Sequence, residues 1–467
     1  MGPHPGPAGT VDTVRATLPS GERPPRPERG LPPSDAHQGR SSSHARRLRV
    51  LISGVNYWPE ATGIAPYTTG LAQHLAGEGH QVTVLTGVPH YPAWVAAEGY
   101  PRDRFVARVE GGVRVVRGPL YVPRQPSAMR RAMYEASFLV HLARLGRLER
   151  PDVVIGVLPS LSGGVLARLL ARRFGSPYGL IFQDLIGPAM IQSGIDGGRR
   201  RILGANARRL EAWVARGATR VGVITPTFRP YLTGLGVAAE RIIDVPNWTH
   251  VTASPEEPAK VRQRMGWRGD EFVALHAGSM GFKQALDQVL EAARMVEARG
   301  PTEGGTLRFV LMGDGSQRSK LEAMADGSTN VTFLPLQPED TFMSTLAAAD
   351  ALLISERESV RTMSLPSKLT SYLAAGRPIV AAVARGGATE NAVVDSGAGL
   401  TAPANEPAAM VRALDRLRTE PRLAARLGAR GRRLALRELG QASALTRLES
   451  LVLESSEEAW SPGRATA

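Results

Sequence analysis

Short runs of β-branched and other apolar residues alternate along this chain with stretches whose apolar positions recur every three or four residues. The first pattern reads as strand and the second as helix. From residue 48 the order is strand 48–53, helix 64–78, strand 82–86, then strands 153–157, 178–183 and 220–225 separated by helical stretches 129–147, 162–174 and 199–215. The alternation pauses at Pro246-Asn247-Trp248 and the polar segment 252–260. It restarts with strand 272–277, helix 284–299, strand 308–312, helix 316–325, strand 331–334, helix 339–349, strand 351–354, helix 367–375 and strand 379–382, and closes in long helices from 406 to about 453. Near-continuous apolar strands separated by helices predict parallel sheets covered on both faces. The fold class is therefore α/β, with two similar doubly wound halves hinged near 246–260.

Length supports that division, because 467 residues exceed what one hydrophobic core usually serves. The expected organisation is a disordered tail over 1–45, an N-terminal domain over 46–250, a C-terminal domain over 251–436, and a terminal helix and tail over 437–467. Residues 1–45 are rich in Pro, Gly, Ser and Arg and show no apolar period, so they cannot offset their chain entropy by burial. They also lack an apolar stretch of signal-peptide length. A chain starting at Arg46 is expected to melt at the same temperature as the full chain; a loss of several degrees would contradict this.

Composition narrows the function classes. There is no cysteine, which excludes disulfides, thiolate metal sites and cysteine nucleophiles and fits a cytoplasmic setting. No run of about 18 uncharged apolar residues occurs that would span a membrane. The formal charge of +14 is mostly arginine, in the tail and on helical stretches. It fits nucleic acid, an anionic membrane face or a phosphorylated substrate, or simply a solvated arginine-rich face. Aromatic residues at 5% are too sparse for a base-stacking platform, so nucleic acid is not expected. A dinucleotide-binding dehydrogenase is also excluded: Gly54-Val55-Asn56-Tyr57 follows the first strand, and Gly313-Asp314-Gly315 has Arg318 where a third glycine belongs.

Candidate chemistry gathers where strands give way to helices, the usual ligand crevice of such sheets. After the first strand, Pro59-Glu60-Ala61-Thr62-Gly63-Ile64 enters a helix whose free N–H groups suit a phosphate, or which Thr62 simply caps. In the second half, Gly278-Ser279-Met280-Gly281-Phe282-Lys283 places a lysine just past a glycine turn, without the spacing of a Walker loop. Gly313-Asp314-Gly315-Ser316 repeats the glycine turn. Ser364-Leu365-Pro366-Ser367-Lys368 then feeds a helix that Ser364 or Ser367 can cap, leaving N–H groups and Lys368 for phosphate oxygens. In the first half Asp184 closes its strand facing the same cleft, where it can orient hydroxyls or cap a turn. Glu358 is a further candidate carboxylate.

These residues resemble a known family. The segment 50–92, with Asn56-Tyr57-Trp58-Pro59-Glu60-Ala61-Thr62-Gly63-Ile64 and Pro89-His90-Tyr91-Pro92, is similar to the N-terminal half of family 4 retaining glycosyltransferases, and in particular to the colanic-acid-type enzymes of exopolysaccharide assembly. Val245-Pro246-Asn247-Trp248, the Gly313-Asp314-Gly315 turn, Leu365-Pro366-Ser367-Lys368 with Ala374-Ala375-Gly376-Arg377-Pro378, and Gly386-Gly387-Ala388-Thr389-Glu390 resemble that family's C-terminal signatures. The resemblance covers roughly residues 49–436.

It implies a GT-B fold of two facing Rossmann-like domains, with a nucleotide-sugar held by the C-terminal one and a saccharide or lipid-linked acceptor on the other. No cofactor and no metal are implied; cations and helix ends stabilise the leaving diphosphate. The implied donor residues are Gly63, Gly278, Lys283, Gly313, Gly315, Ser364, Ser367, Lys368 and Ser371. Asp184 and Lys283 are the implied catalytic pair, and Tyr57, Glu60, His90 and Tyr91 the acceptor side. Where many relatives carry an arginine, a histidine and a glutamate, this chain has Ser279, Gln183 and Ser371. An alternative reading is a catalytically weakened scaffold. Arg130, Arg131, Arg144 and Arg147, beside Met133, Phe138, Leu139 and Leu142, lead us to expect a peripheral contact with an anionic membrane.

Overall fold

The computed structural model describes residues 46–60, 63–123, 128–186, 198–248, 256–300, 305–361 and 368–457. The 1–45 tail, Thr62, Ser364 and Ser367 lie outside the described residues.

Two sheets organise the molecule. The first comprises β1 Arg49–Ser53, β2 Gln81–Thr86, β3 Val106–Glu110, β4 Val113–Arg117, β5 Val153–Leu158, β6 Tyr178–Phe182, β7 Arg220–Val223 and β8 Ile242–Asp244, in the order β3-β4-β2-β1-β5-β6-β7-β8. The second comprises β9 Glu271–Ala277, β10 Thr306–Met312, β11 Val331–Leu334, β12 Ala351–Ser355, β13 Ile379–Val383 and β14 Gly399–Pro403, ordered β11-β10-β9-β12-β13-β14. Every pairing is parallel except β3 with β4. Central strands such as β5, β6, β12 and β13 are buried along their whole length, as expected when helices cover both faces. The α/β fold expected from the sequence is the fold observed.

The order reverses direction beside β1 in the first sheet and between β9 and β12 in the second. Such reversals open crevices at the carboxyl ends of the strands. Gly278 directly follows β9 and Glu356 directly follows β12, so both stand at the second sheet's crevice.

Several elements differ from expectation. The β3–β4 hairpin turns at Gly111 and Gly112, both with positive φ (58° and 82°), the geometry of a tight hairpin turn. The stretch 129–147 is an α-helix only over Ala128–Phe138 and a 3₁₀ helix over Leu139–Arg147. The polar segment 252–260 leads into a short helix, Pro258–Arg264. The stretch 284–299 divides into a 3₁₀ turn, Phe282–Gln284, and a helix, Asp287–Arg299. The closing helices are Pro407–Thr419, Pro421–Glu438 and Gln441–Glu457. The last of them packs on β5, β6, β7 and the Ala65–Gly77 helix, and its Leu445, Leu448, Leu451 and Val452 join the core that contains Val50 and Ile52. The chain therefore returns to its first sheet, and residues 441–457 pack with the N-terminal sheet although the sequence places them last.

Candidate active site

The glycine turns of the second sheet are built on one another. Gly278 N–H donates to the Met312 carbonyl at 2.8 Å, and Met280 N–H to the Asp314 carbonyl at 2.8 Å. A Cβ on Gly313 would lie 1.9 Å from the Gly278 carbonyl oxygen, and one on Gly315 would lie 2.7 Å from the Met280 backbone. Gly313 and Gly315 also have φ of 144° and 155°. These glycines let two strand ends touch.

The lysines stand on that platform in different ways. Lys283 is exposed in its 3₁₀ turn, so it does not open an α-helix. Lys368 is the first residue of the Lys368–Ala375 helix and is partly buried. Its Nζ lies 3.8 Å from where a Gly278 Cβ would be and 3.4 Å from His276 Nε2. The Tyr372 hydroxyl accepts the Ala277 N–H at 2.8 Å, tying this helix to the end of β9. Burial lowers the Lys368 ammonium to about 8, against the pull of the Glu356 carboxylate. His276 is buried on β9 and pushed well below its ordinary range by burial and by Lys368, so the imidazole is neutral. A neutral ring sets no second positive charge against the ammonium, and the same Nε2 lies 3.4 Å from the Ser279 carbonyl. Ser371 sits one turn after Lys368 on the same side of the helix and is buried.

Glu356, which the sequence reading passed over, is the carboxylate that joins this group. Arg357 N–H donates to the Lys283 carbonyl at 3.0 Å and Arg357 Nε to the Phe282 carbonyl at 2.9 Å, stitching the end of β12 to the lysine turn. Glu356 itself is buried, and burial raises its carboxyl to about 7 against Thr389, Lys368 and Lys283. Glu358 instead is half-buried and pairs with Arg361. The sequence signal for Glu356 was its place, first after the strand at the sheet reversal.

From the other sheet, Asp184 follows β6 and reaches the same group: burial raises its carboxyl to about 7, and Lys283 opposes that rise. Beside it Gln183 accepts from Asn247 Nδ2 at 2.7 Å, so the Asn247-Trp248 pair fixes the strand end that carries Asp184. Trp248 stands edge-on to Tyr67 at 4.9 Å between ring centroids. Burial raises the Tyr67 hydroxyl to about 12 while its bond with Thr370 lowers it; that bond ties the helix after Gly63 to the Lys368 helix.

The four residues expected on the acceptor side divide. Tyr57 is core. Glu60 is also buried, and accepts from Asn56 Nδ2 at 2.8 Å and from the His90 and Tyr91 N–H groups at 2.7 and 2.9 Å. His90 is buried, with Nδ1 2.9 Å from the Val88 carbonyl and Nε2 3.1 Å from the Tyr134 hydroxyl. Since a carbonyl only accepts, Nδ1 carries the proton and Nε2 accepts. Tyr57, Glu60 and His90 therefore do not face the cleft; Glu60 and His90 hold the loop that presents Tyr91. Tyr91 is 38% exposed, and Asp184 and Glu60 add to the burial that raises its hydroxyl. A Cβ on Gly63 would come within 2.9 Å of the Tyr91 ring, and Gly63 has φ 71°. Ile64 occupies the N-cap of the following helix and makes no side-chain cap bond.

Both halves of the chain match known families. Residues 62–248 match the glycosyl transferase 4-like domain and residues 271–420 the glycosyl transferases group 1. A protein of Escherichia coli K12 named as the colanic acid biosynthesis glycosyl transferase WcaI is 34% identical over 339 residues, covering 70% of this chain and 82% of the relative. The chain belongs to the family 4 glycosyltransferases. Its function is glycosyl transfer, and its two-sheet fold is GT-B. Sucrose-phosphate synthase from Thermosynechococcus elongatus superimposes with a TM-score of 0.66 at 18% identity, covering 87% of this chain and 98% of that one. Anabaena Alr3699/HepE in complex with UDP-glucose gives 0.60 at 15%, covering 87% and 99%. No helix among the described residues is long and apolar enough to cross a membrane.

Proposed function

We propose that this glycosyltransferase moves a hexosyl group from a nucleotide-sugar to a saccharide or lipid-linked acceptor, with retention of configuration and without a metal or other cofactor. The observation that carries the reading is the convergence of Lys283 and Lys368 from separate elements, with Asp184 reaching Lys283 from the opposite sheet. The bond broken joins the anomeric carbon to the diphosphate; the bond formed joins that carbon to an acceptor hydroxyl oxygen, whose proton passes to the departing diphosphate oxygen. Charge develops on the departing diphosphate, and the lysines meet it there. Asp184 and Tyr91 line the acceptor approach, where an ionised carboxylate orients hydroxyls. The scaffold alternative finds no support among the relatives. A thermal-shift screen against UDP-, GDP-, dTDP- and ADP-glucose tests the reading. A ligand at 100 times its Kd stabilises by about 2.7 kcal/mol, and no shift with any of the four contradicts it.

The pH profile follows from the same groups. A carboxyl titrating at about 7 is ionised above that value, so kcat/KM should rise through neutral pH as Asp184 loses its proton. An ammonium titrating at about 8 is lost above it, so the rate should fall there as Lys368 becomes neutral. Asp184→Asn is expected to flatten the acid limb; an unchanged limb would remove Asp184 from this role.

We also propose a peripheral contact with anionic membrane at the inner face, through the Ala128–Phe138 helix. Its outward residues are Met129 (72% exposed), Met133 (48%), Arg130 and Arg131, whereas Phe138, Leu139 and Leu142 pack against the core. Two exposed methionines among arginines suit a lipid surface that presents an acceptor. The protein should sediment with anionic but not neutral liposomes, and Met129→Glu with Met133→Glu should release it. Equal recovery in both supernatants would contradict this.

A further inference from the structure

Glu356 is hydrogen-bonded by the Thr389 side chain, which compensates only part of its burial. It is 7% exposed, and its Oε2 is buried with no hydrogen-bond partner. Burying a carboxylate is costly unless every oxygen is met, and a half-met one is stored at a site for a purpose. Its backbone is held tightly. Gln288 Nε2 donates to Ser355 Oγ at 2.8 Å, Ser355 Oγ donates to the Ala285 carbonyl at 3.0 Å, and Glu356 N–H donates to the Ala382 carbonyl at 3.0 Å. The rigid strand end at the sheet reversal therefore aims the side chain among Lys283, Lys368 and Thr389.

We propose that Glu356 is a donor-binding residue, whose free carboxyl oxygen hydrogen-bonds a hydroxyl of the nucleotide-sugar and which takes up a proton as the diphosphate engages Lys283 and Lys368. This rests on the function proposed above. In the free protein the two ammonium groups hold the Glu356 charge in place, with the neutral His276 beside Lys368 and Asp184 opposite Lys283. A diphosphate brings negative charge onto the same lysines, and a third anion buried beside it is no longer compensated. The proton comes from solvent. The neutral acid keeps one donor and one acceptor, the pair a sugar hydroxyl can satisfy. Asp184 meets the same anion at Lys283, so its own uptake must be measured separately.

Isothermal titration of the nucleotide-glucose that stabilises the wild type, at pH 7 in two buffers of different ionisation enthalpy, reads affinity and proton uptake together. A nucleotide-sugar has no group of its own titrating there. With a carboxyl near 7, Glu356 contributes about half a proton. Glu356→Gln is expected to bind within about threefold of wild type and to lose that uptake, while Asp184→Asn retains it. Glu356→Ala, which also loses the hydrogen bond, should bind about tenfold more weakly. Because the raised carboxyl penalises the native state only above its usual range, Glu356→Gln should melt no lower than wild type at pH 8, with any gain fading towards pH 5. Wild-type affinity in Glu356→Ala, unchanged uptake in Glu356→Gln, or a clear drop in its melting temperature would overturn the assignment alone. Absence of binding by all four nucleotide-glucoses to the wild type would instead overturn the functional reading, and this assignment with it.

Discussion

Lys368→Met is expected to lower turnover with a nucleotide-sugar by roughly 10- to 150-fold, the equivalent of losing one charge-assisted contact of about 1.5–3 kcal/mol. The unliganded protein should nevertheless melt no lower. In that state Lys368 is a partly buried ammonium at about 8, beside a neutral imidazole and drawn by the Glu356 carboxyl, itself raised to about 7. The ammonium is lowered even with the pull of Glu356 included, so the native state carries a net penalty for the cation that an apolar chain of similar length removes. The activity loss should appear in kcat as well as in nucleotide affinity, because the contact strengthens as the diphosphate departs. Lys283→Ala should show a comparable loss with an unchanged melting temperature, since that side chain is exposed. Steady-state kinetics and thermal melts of both variants check this. Wild-type kinetics in both would move the phosphate site elsewhere.

Gly313→Ala is expected to do the opposite, removing stability first and activity as a consequence. The added methyl would meet the Gly278 carbonyl oxygen at 1.9 Å while the backbone stays at φ 144°. Backbone strain and overpacking of this kind each cost about 1–3 kcal/mol. The strand end that carries Gly278 must then shift, and with it one wall beside Lys368. A variant that melts like the wild type would show that the two turns are not in mutual contact. Gly77→Ala, where a Cβ meets nothing within 4 Å, is the control and should be close to neutral.

The contrast between those variants shows what was legible before the fold. Mostly apolar runs announced β1, β5, β6, β9, β10, β12 and β13 because these strands are buried along most of their length, and the few polar residues they carry, such as His276 in β9 and Arg308 in β10, do not break the run. The β3–β4 hairpin was missed because β3 is an exposed edge whose Val-Ala-Arg-Val-Glu alternates weakly, although Gly111-Gly112 between valines was a usable hairpin signal. The site was legible in part. Lysines after glycine turns, and Asp184 at a strand end, were visible from spacing alone. The physical role of the glycines was not, because close approach of two turns is a tertiary fact. Glu60 and His90 read as ligand-facing polar residues, yet their partners are backbone amides 30 residues away and Tyr134. Glu356 and Glu358 stand two positions apart in one charged run. Only the end of β12 at Ser355 distinguishes the buried carboxylate from the solvated one.

The most direct measurement is calorimetric titration of UDP-, GDP-, dTDP- and ADP-glucose into the wild type and into the Lys283→Ala/Lys368→Ala double variant, both checked for equal melting temperatures. The structure predicts that at least one of the four binds the wild type and that the double variant weakens it by about 100-fold or more, from two contacts of about 1.5–3 kcal/mol each. Equal affinity in the two proteins, or no binding to the wild type by any of the four, would contradict the account.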